Sequence, residues 1–526
     1  MKEGKLIFLI MIDGTNYEVF NTLLREGRLP NFSTLLKEKD GCFKKSLSTF
    51  PSTTAPAIPE ILMGQYSFRF SGLPKAIHAF DRESLEIKRY EFLLDEWGKR
   101  NLRLLHMFKE KGWTILSFFK AHIRDSHYTY YNEILYQLEF ISDFTGLRWI
   151  NYDEVQMVKL QDFLTRNPEP DKLIFIVLNS ADLNGHLFGP FSDEYVESLI
   201  KIDELIGNLV AFLKKEKYNG KPLFDLSSFV IFGDHGISPS GNHIPMERIL
   251  RGYGLSTFDA GNPLALITEN LMGILEKDVD LLLFPAGSNI ADLYVRNIVN
   301  GEPQPWNSLA PGELLRNYPN RSKPLFMYDL KNLITSIGAI DFILMKKDKD
   351  IVEVYGYGDT RGIIYRKWEG KKPLFLYQVP YGKDPLGYID DKMIREHIWI
   401  GTEVNETNFR EPVFAHFFHD EQTWINLTWE HSHPGGPPLL SKAFDRDVTT
   451  SDIVLTAKEH FSFMRMVKGD HGAMIPSSMF TILFILGNGI SCRDNVHPRI
   501  LDIFNAVARL GKIEFSPEET DGVDII

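Results

Sequence analysis

Cysteine is almost absent from this 526-residue chain, which carries only Cys42 and Cys492. Two thiols exclude a disulfide framework and a thiolate zinc site, and each reads as a small buried apolar residue. Long hydrophobic runs are missing as well. The N-terminal run Leu6 to Ile12 is far too short to span a bilayer, and it lacks a small-residue cleavage site. It reads as a first strand and not a signal peptide, so the expected location is the cytoplasm, with no membrane partner. The N-x-S/T triplets at Asn31 and Asn426 are then chance matches. A basic excess is also lacking. The net charge of −12 argues against a nucleic-acid or anionic-membrane surface, but it leaves anionic substrates open because a metal site can reverse the local field. Neither repeats nor low-complexity tracts interrupt the chain.

The composition is that of an ordinary soluble globular protein, with 44% apolar and 24% charged residues. The length exceeds one core, so two domains or one domain with a large insertion is expected. Residues 171–214 organise the rest. An unbroken apolar run, Leu173 to Leu178, reads as a buried parallel strand. Asp182 and His186 follow it in the loop, and then a Gly189-Pro190 corner. Ser192 can cap a long helix with Asp193 and Glu194 in its first turn. The apolar positions Tyr195, Leu199, Ile202, Leu205, Ile206, Leu209 and Phe212 recur on one face of that helix.

Other strands end the same way. Leu6–Ile12 runs into Asp13-Gly14, and Phe229–Phe232 leads to Asp234-His235-Gly236. GDHGAMIP, with His471, precedes the apolar run Thr481 to Leu486, where parallel α/β character is expected to return. Helices are expected over 29–38, 92–111, 127–145, 153–165 and 497–511, and a strand over Trp113 to Phe119. From about 250 to 450, short alternating strands suggest antiparallel hairpins. The expected organisation is therefore a catalytic core of 1–250 and 450–526, with 251–449 as an inserted cap. The expected fold is α/β, with a mostly parallel central sheet, helices on both faces and a large α+β insertion.

TFPSTTAPAIPEILMG (49–64) crowds hydroxyls at the start of a helix. Such hydroxyls can be plain caps, or one can be a nucleophile where backbone N–H groups bind an oxyanion. Asp13, Thr54, Asp182, His186, Asp234, His235 and His471 thus stand at strand ends. Asp and His ligands without Cys suit Zn²⁺ or a similar divalent ion, and there are enough for two. Two such ions can clamp the attacking and leaving oxygens of an in-line phosphoryl displacement.

The stretches LIFLIMIDG, FPSTTAPAIPEILMG, SADLNGHLFGPFSDEY, VIFGDHG and GDHGAMIP, in that order, resemble the type I phosphodiesterase/nucleotide pyrophosphatase family of the alkaline phosphatase superfamily. The resemblance implies two Zn²⁺ ions, with Mn²⁺ or another divalent ion as the alternative. Asp182, His186 and His471 would hold one ion, and Asp13, Asp234, His235 and Thr54 the other. Thr54, two residues before Pro56, would be the nucleophile that forms a phosphothreonine, in preference to Thr53 and Ser52. His471 is preferred to His416, His419, His431 and His433, with the 431–433 pair its main rival. The implied substrate is a small-molecule phosphate ester, including nucleotides, cleaved at a phosphodiester or phosphoanhydride bond. The family also uses an Asn shortly after the nucleophile, and residues 64–90 contain none. The alternatives are a phosphomonoesterase, which would want an added cation such as Arg69, or an inactive metal-binding relative.

Overall fold

The computed structural model describes residues 4–69, 78–89, 102–119, 124–132, 134–135, 151–260, 279–287 and 289–526, the last apart from 322, 324, 359, 381, 403, 405–408, 410, 446–448 and 466. A seven-stranded sheet forms the centre, in the order 41–47, 480–486, 227–232, 6–12, 172–178, 114–118, 128–129. Leu6–Ile12, Lys172–Leu178, Ser227–Phe232 and Phe480–Leu486 are buried at every residue. That explains their continuous apolar sequence, since both faces of the sheet are covered.

The period-two alternation still assigns each side chain to a face. Ile7, Leu9 and Met11 pack with residues of the helices Thr54–Met63, Arg103–Glu110 and Ile503–Leu510. Leu6, Phe8, Ile10 and Ile12 pack with those of Tyr17–Arg25, Pro30–Glu38, Tyr152–Arg166 and Asp193–Lys215. Ser192 caps the last of these by accepting from the Tyr195 N–H at 3.1 Å. Of the stripe the sequence spacing anticipates, Tyr195, Leu199, Ile202, Leu205, Ile206 and Leu209 are buried and Phe212 is partly buried.

Several elements differ from expectation. Phe480–Leu486 runs antiparallel to both its neighbours, because the chain enters it soon after His471, from the edge at which the parallel strands end. A return to the opposite edge needs a crossover of a dozen or more residues. Asp182 and His186 lie on the helix Ser180–Phe188, not in a loop. Within the expected 127–145 helix, Tyr128–Thr129 is an edge strand, and 136–150 falls outside the described residues, as does 92–101 of the expected 92–111 helix.

A second sheet of nine strands, mostly antiparallel, spans Thr257 to Ala457. It contains the hairpins Ile340–Asp348/Ile351–Tyr355 and Arg361–Glu369/Lys372–Val379. Strand Ile453–Ala457 lies inside it, between Ile290–Val295 and Ile340–Asp348. One apolar cluster joins this unit to the first sheet, with Leu47, Tyr66 and Phe480 packed among Phe342, Leu344, Trp424 and Leu439. No helix among the described residues is long and apolar enough to cross a membrane.

The cysteines correct the expectation. Cys42 and Cys492, 450 residues apart in sequence, form a disulfide with their Cα atoms 6.1 Å apart. Cys42 opens onto the edge strand that pairs with Phe480–Leu486, and Cys492 follows that strand closely. The pairing therefore depends on a register between the two ends of the chain. Breaking it by Cys42→Ser should cost about 2–4 kcal/mol in urea unfolding. A midpoint and slope unchanged from wild type would contradict a stabilising role.

Candidate active site

Asp13 extends the first strand, its N–H donating to the Leu178 carbonyl at 2.9 Å. Gly14 follows in a left-handed conformation (φ +64°), and a Cβ there would lie 2.6 Å from Asp182 Oδ1 and 2.8 Å from Asp182 Cα. Only glycine meets both demands. Tyr195, fully buried on the long helix, holds this turn. Its hydroxyl donates to the Gly14 carbonyl at 2.9 Å and accepts from the Asn16 N–H at 2.8 Å. The helix carrying Asp182 and His186 is fixed at its start by buried Asp153, which accepts from the N–H groups of Asn179 (2.9 Å) and Ser180 (3.1 Å). On the helix the spacing of four places Asp182 and His186 on one face, with His186 Nε2 3.4 Å from Asp182 Oδ2.

All the expected site residues converge at the carboxyl edge of the parallel strands, where open α/β sheets place their chemistry. Thr54 Oγ1 lies 3.1 Å from His235 Nε2 and 3.3 Å from Asp13 Oδ1. His235 Nε2 is 3.3 Å from Asp234 Oδ2 and 3.5 Å from Asp13 Oδ1. On the other side, His471 Nε2 is 3.1 Å from His186 Nε2 and 3.7 Å from Asp182 Oδ1. The two halves meet where the rings of His235 and His471 stack with centroids 3.8 Å apart.

The hydrogen bonds around the rims decide what this cluster can hold. His186, His235 and His471 each donate Nδ1–H to a main-chain carbonyl, of Gly469 (2.9 Å), Gly236 (2.9 Å) and Ser52 (3.0 Å). A carbonyl only accepts, so in each neutral imidazole the bare Nε2 lone pair faces the cluster. The buried Oδ1 of Asp182 and Oδ2 of Asp234 have no hydrogen-bond partner. Acceptors therefore face acceptors, an arrangement that divalent cations resolve, and the Asp/His donor set suits zinc-type ions. Ligand atoms within 4.8 Å of one another group as Asp13–Asp234–His235, Asp182–His235–His471 and His186–Asp470–His471.

The titration behaviour agrees. Burial, and then the charge of Asp182, push Asp234 up to about 7. Burial raises Asp470 to about 6. Burial and the neighbouring imidazoles of His235 and His186 hold His471 well below the usual histidine range. Burial alone would lower His186 too, but the carboxylates of Asp182 and Asp470 raise it.

The competing residues separate clearly. Ser52 is structural, since its hydroxyl donates to the Ala473 carbonyl (3.2 Å) and accepts from the Gly472 N–H (3.1 Å). Thr53 is the cap before the helix, and its buried Oγ1 has no hydrogen-bond partner. Thr54 alone of the three carries its hydroxyl to the cluster. His433 belongs elsewhere, donating to the Leu386 carbonyl and pairing with Asp341 Oδ2 at 3.0 Å. His419 faces His397. Arg69 pairs in bidentate fashion with Asp521, at 2.7 Å for each contact. Sequence reasoning missed Asp153 and Asp470. The second stands beside His471 in GDHG and could have been weighed with it.

The fold is a mixed α/β architecture with a mostly parallel central sheet and helices on both of its faces. Residues 98–292 match the family model described as type I phosphodiesterase / nucleotide pyrophosphatase, a class of phosphoric ester hydrolase. The resemblance inferred from the motifs is thus borne out by the family match. The matched stretch contains Asp182, His186, Asp234 and His235, while Asp13, Thr54 and His471 join them through the sheet. Murine ectonucleotide pyrophosphatase/phosphodiesterase 5 is similar in fold, with a TM-score of 0.51 at 13% identity, over 99% of this chain and 97% of that one. The human counterpart gives 0.52 at 13% identity, over 99% and 97%. An inactive threonine-to-alanine variant of the murine protein, also similar in fold with a TM-score of 0.51, is described in complex with AMP. Among curated relatives, GPI ethanolamine phosphate transferase 1 of Gibberella zeae is 28% identical over 110 residues, which span 20% of this chain and 11% of that protein.

The sign of the Asp234 shift yields a test. With its folded pKa raised from 3.8 to about 7, the metal-free protein should lose stability as pH rises from about 4 to about 7. Asp234→Asn should therefore be more stable than wild type at about pH 8 in chelator, by on the order of 2–4 kcal/mol. A variant less stable than wild type there would contradict the reading of an unmatched buried carboxylate.

Proposed function

We propose that this protein is a two-metal hydrolase, with zinc the fitting ion, that cleaves phosphodiester or phosphoanhydride bonds of small molecules, nucleotides included, through Thr54. The convergence of the Thr54 hydroxyl with an acceptor-only set of carboxylates and imidazoles carries this reading. Asp13, Asp234, His235 and Thr54 would hold one ion, and Asp182, His186 and His471 the other. When bound, such ions lower the pKa of a coordinated hydroxyl or water and neutralise charge on the leaving oxygen.

The chain's own residues do the rest. Asp13 and His235 hold the Thr54 oxygen at the mouth of the helix Thr54–Met63. The Thr54 and Ala55 N–H groups in the first turn of that helix have no intrahelical acceptors, so they suit the nonbridging oxygens of a phosphoryl group. Thr54 Oγ attacks phosphorus as its proton passes to solvent, the bond from phosphorus to the leaving oxygen breaks, and that oxygen takes a proton from solvent and departs as an alcohol or phosphate. Water then cleaves the phosphothreonine and restores the hydroxyl. The family's name and the nucleotide bound by a structural relative support this substrate class. Diesters are favoured over monoesters because Arg69, the first arginine after the nucleophile helix, is paired with Asp521.

The strands and helices between 257 and 457 form, in this reading, the unit that receives the leaving group. The Cys42–Cys492 disulfide favours an oxidising compartment over the cytoplasm expected from sequence, since reducing compartments rarely keep such bonds.

The test is hydrolysis of an aryl phosphodiester and the matching monoester, with wild type and Thr54→Ala. Wild type should prefer the diester, and Thr54→Ala should lose about a thousand-fold or more in turnover. Turnover retained by Thr54→Ala would remove the covalent mechanism, and a preference for the monoester would favour the phosphomonoesterase reading.

A further inference from the structure

A fourth carboxylate stands at the Asp182 side of the cluster. Asp470 is fully buried on the short strand Gly469–Asp470, which pairs with Ser238–His243 in a three-stranded sheet with His460–Ser462. Its Oδ1 accepts from the His471 N–H at 2.8 Å, and its Oδ2 accepts from the Ser462 hydroxyl at 3.0 Å. One carboxylate oxygen of Asp470 lies within 4.8 Å of ring nitrogens of both His186 and His471. The neighbouring Gly469 lies directly against the helix of Asp182 and His186. A Cβ on Gly469 would sit 2.2 Å from the Gly185 carbonyl oxygen, and its own carbonyl accepts from His186 Nδ1–H. Main-chain and side-chain bonds therefore fix Asp470 against both imidazoles.

No lysine or arginine among the described residues is ion-paired with Asp470. Taking a carboxylate out of water costs several kcal/mol unless opposite charge compensates it. Two neutral donors do not supply that charge. Asp13, Asp182, Asp234 and Asp470 together carry the formal charge that two divalent ions would balance, whereas the three carboxylates expected from sequence leave one positive charge over while the Thr54 hydroxyl stays protonated.

Resting on the two-metal reading above, we propose that Asp470 is a buried anion whose charge strengthens divalent-cation binding in the Asp182–His186–His471 half. The carboxylate acts through its charge at close range to both rings, and loss of carboxylates outside the ligand set weakens metal binding about 10–100-fold. Ser462, from the strand alongside, supplies one of its two hydrogen bonds.

Calorimetric titration of Zn²⁺ into chelator-stripped full-length protein tests this, with thermal unfolding of the stripped proteins alongside. Wild type should bind two ions. Asp470→Asn should weaken one of them about 10–100-fold without lowering the melting temperature of the stripped protein. Ser462→Ala keeps the charge and should change affinity less than about threefold. Asp470→Ser, which retains an acceptor for the His471 N–H without charge, should match Asp470→Asn and covers the case in which the asparagine variant does not fold. Wild-type affinity in Asp470→Asn or Asp470→Ser overturns the proposal. So does a loss in Ser462→Ala as large as theirs, because geometry and not charge would then be the cause. A wild type that binds no Zn²⁺ overturns the two-metal reading itself, an outcome distinct from either.

Discussion

Three imidazoles whose outer nitrogens are pinned by main-chain carbonyls present their inner nitrogens to one another and to buried carboxylates. The remainder of the structure serves to hold that unfavourable gathering together. Each carbonyl comes from a different neighbourhood. The one that fixes His471 belongs to Ser52, in the loop that delivers Thr54, so the putting together of one half orders the other. Stacking of His235 on His471 keeps the two halves in contact. Local repulsion of this kind is sustained by the surrounding core, in which the parallel strands are buried throughout.

The region beneath the nucleophile helix shows how the rest of the chain bears on that geometry. Arg499, buried, pairs with Asp502 Oδ1 at 2.7 Å and Glu421 Oε2 at 3.1 Å, and donates to the Tyr66 hydroxyl at 3.0 Å. Lys442 reaches Glu421 at 3.0 Å while its ammonium lies over the Tyr66 ring. Residues before, within and after the second sheet thus meet in one ion-pair network. Breaking one partner of such a network leaves a buried charge uncompensated, at a cost of about 3–5 kcal/mol. Glu60, on the nucleophile helix itself, borders this network and is raised to about 7 by burial.

Much of this was legible in the chain. Apolar runs ending in Asp or His identify strands whose ends carry chemistry, because a strand covered on both faces cannot hide a polar residue except at its edge. That logic located Asp13, Asp234 and His235, and the motif order added Thr54 and His471. It treated Asp182 and His186 as loop residues, since a strand followed by a glycine-bearing segment reads as a turn. Tertiary support from Asp153, which accepts from the Asn179 and Ser180 N–H groups, turns that segment into a helix. The disulfide was out of reach for a related reason, since it depends on register between the chain's two ends, which no local pattern encodes. The last strand is antiparallel because the short connection after His471 enters it from the edge at which the parallel strands end. Asp470 was passed over because its neighbour His471 accounted for the motif, and only the three-stranded sheet shows that its carboxylate turns inward.

The central claim is that this edge gathers divalent ions around Thr54. Anomalous diffraction from crystals grown with Zn²⁺, recorded on both sides of the zinc absorption edge, tests it most directly. The account predicts two zinc peaks, one among Asp13, Thr54, Asp234 and His235 and one among Asp182, His186 and His471. An edge without zinc density there, in crystals that hold the same fold, would contradict it.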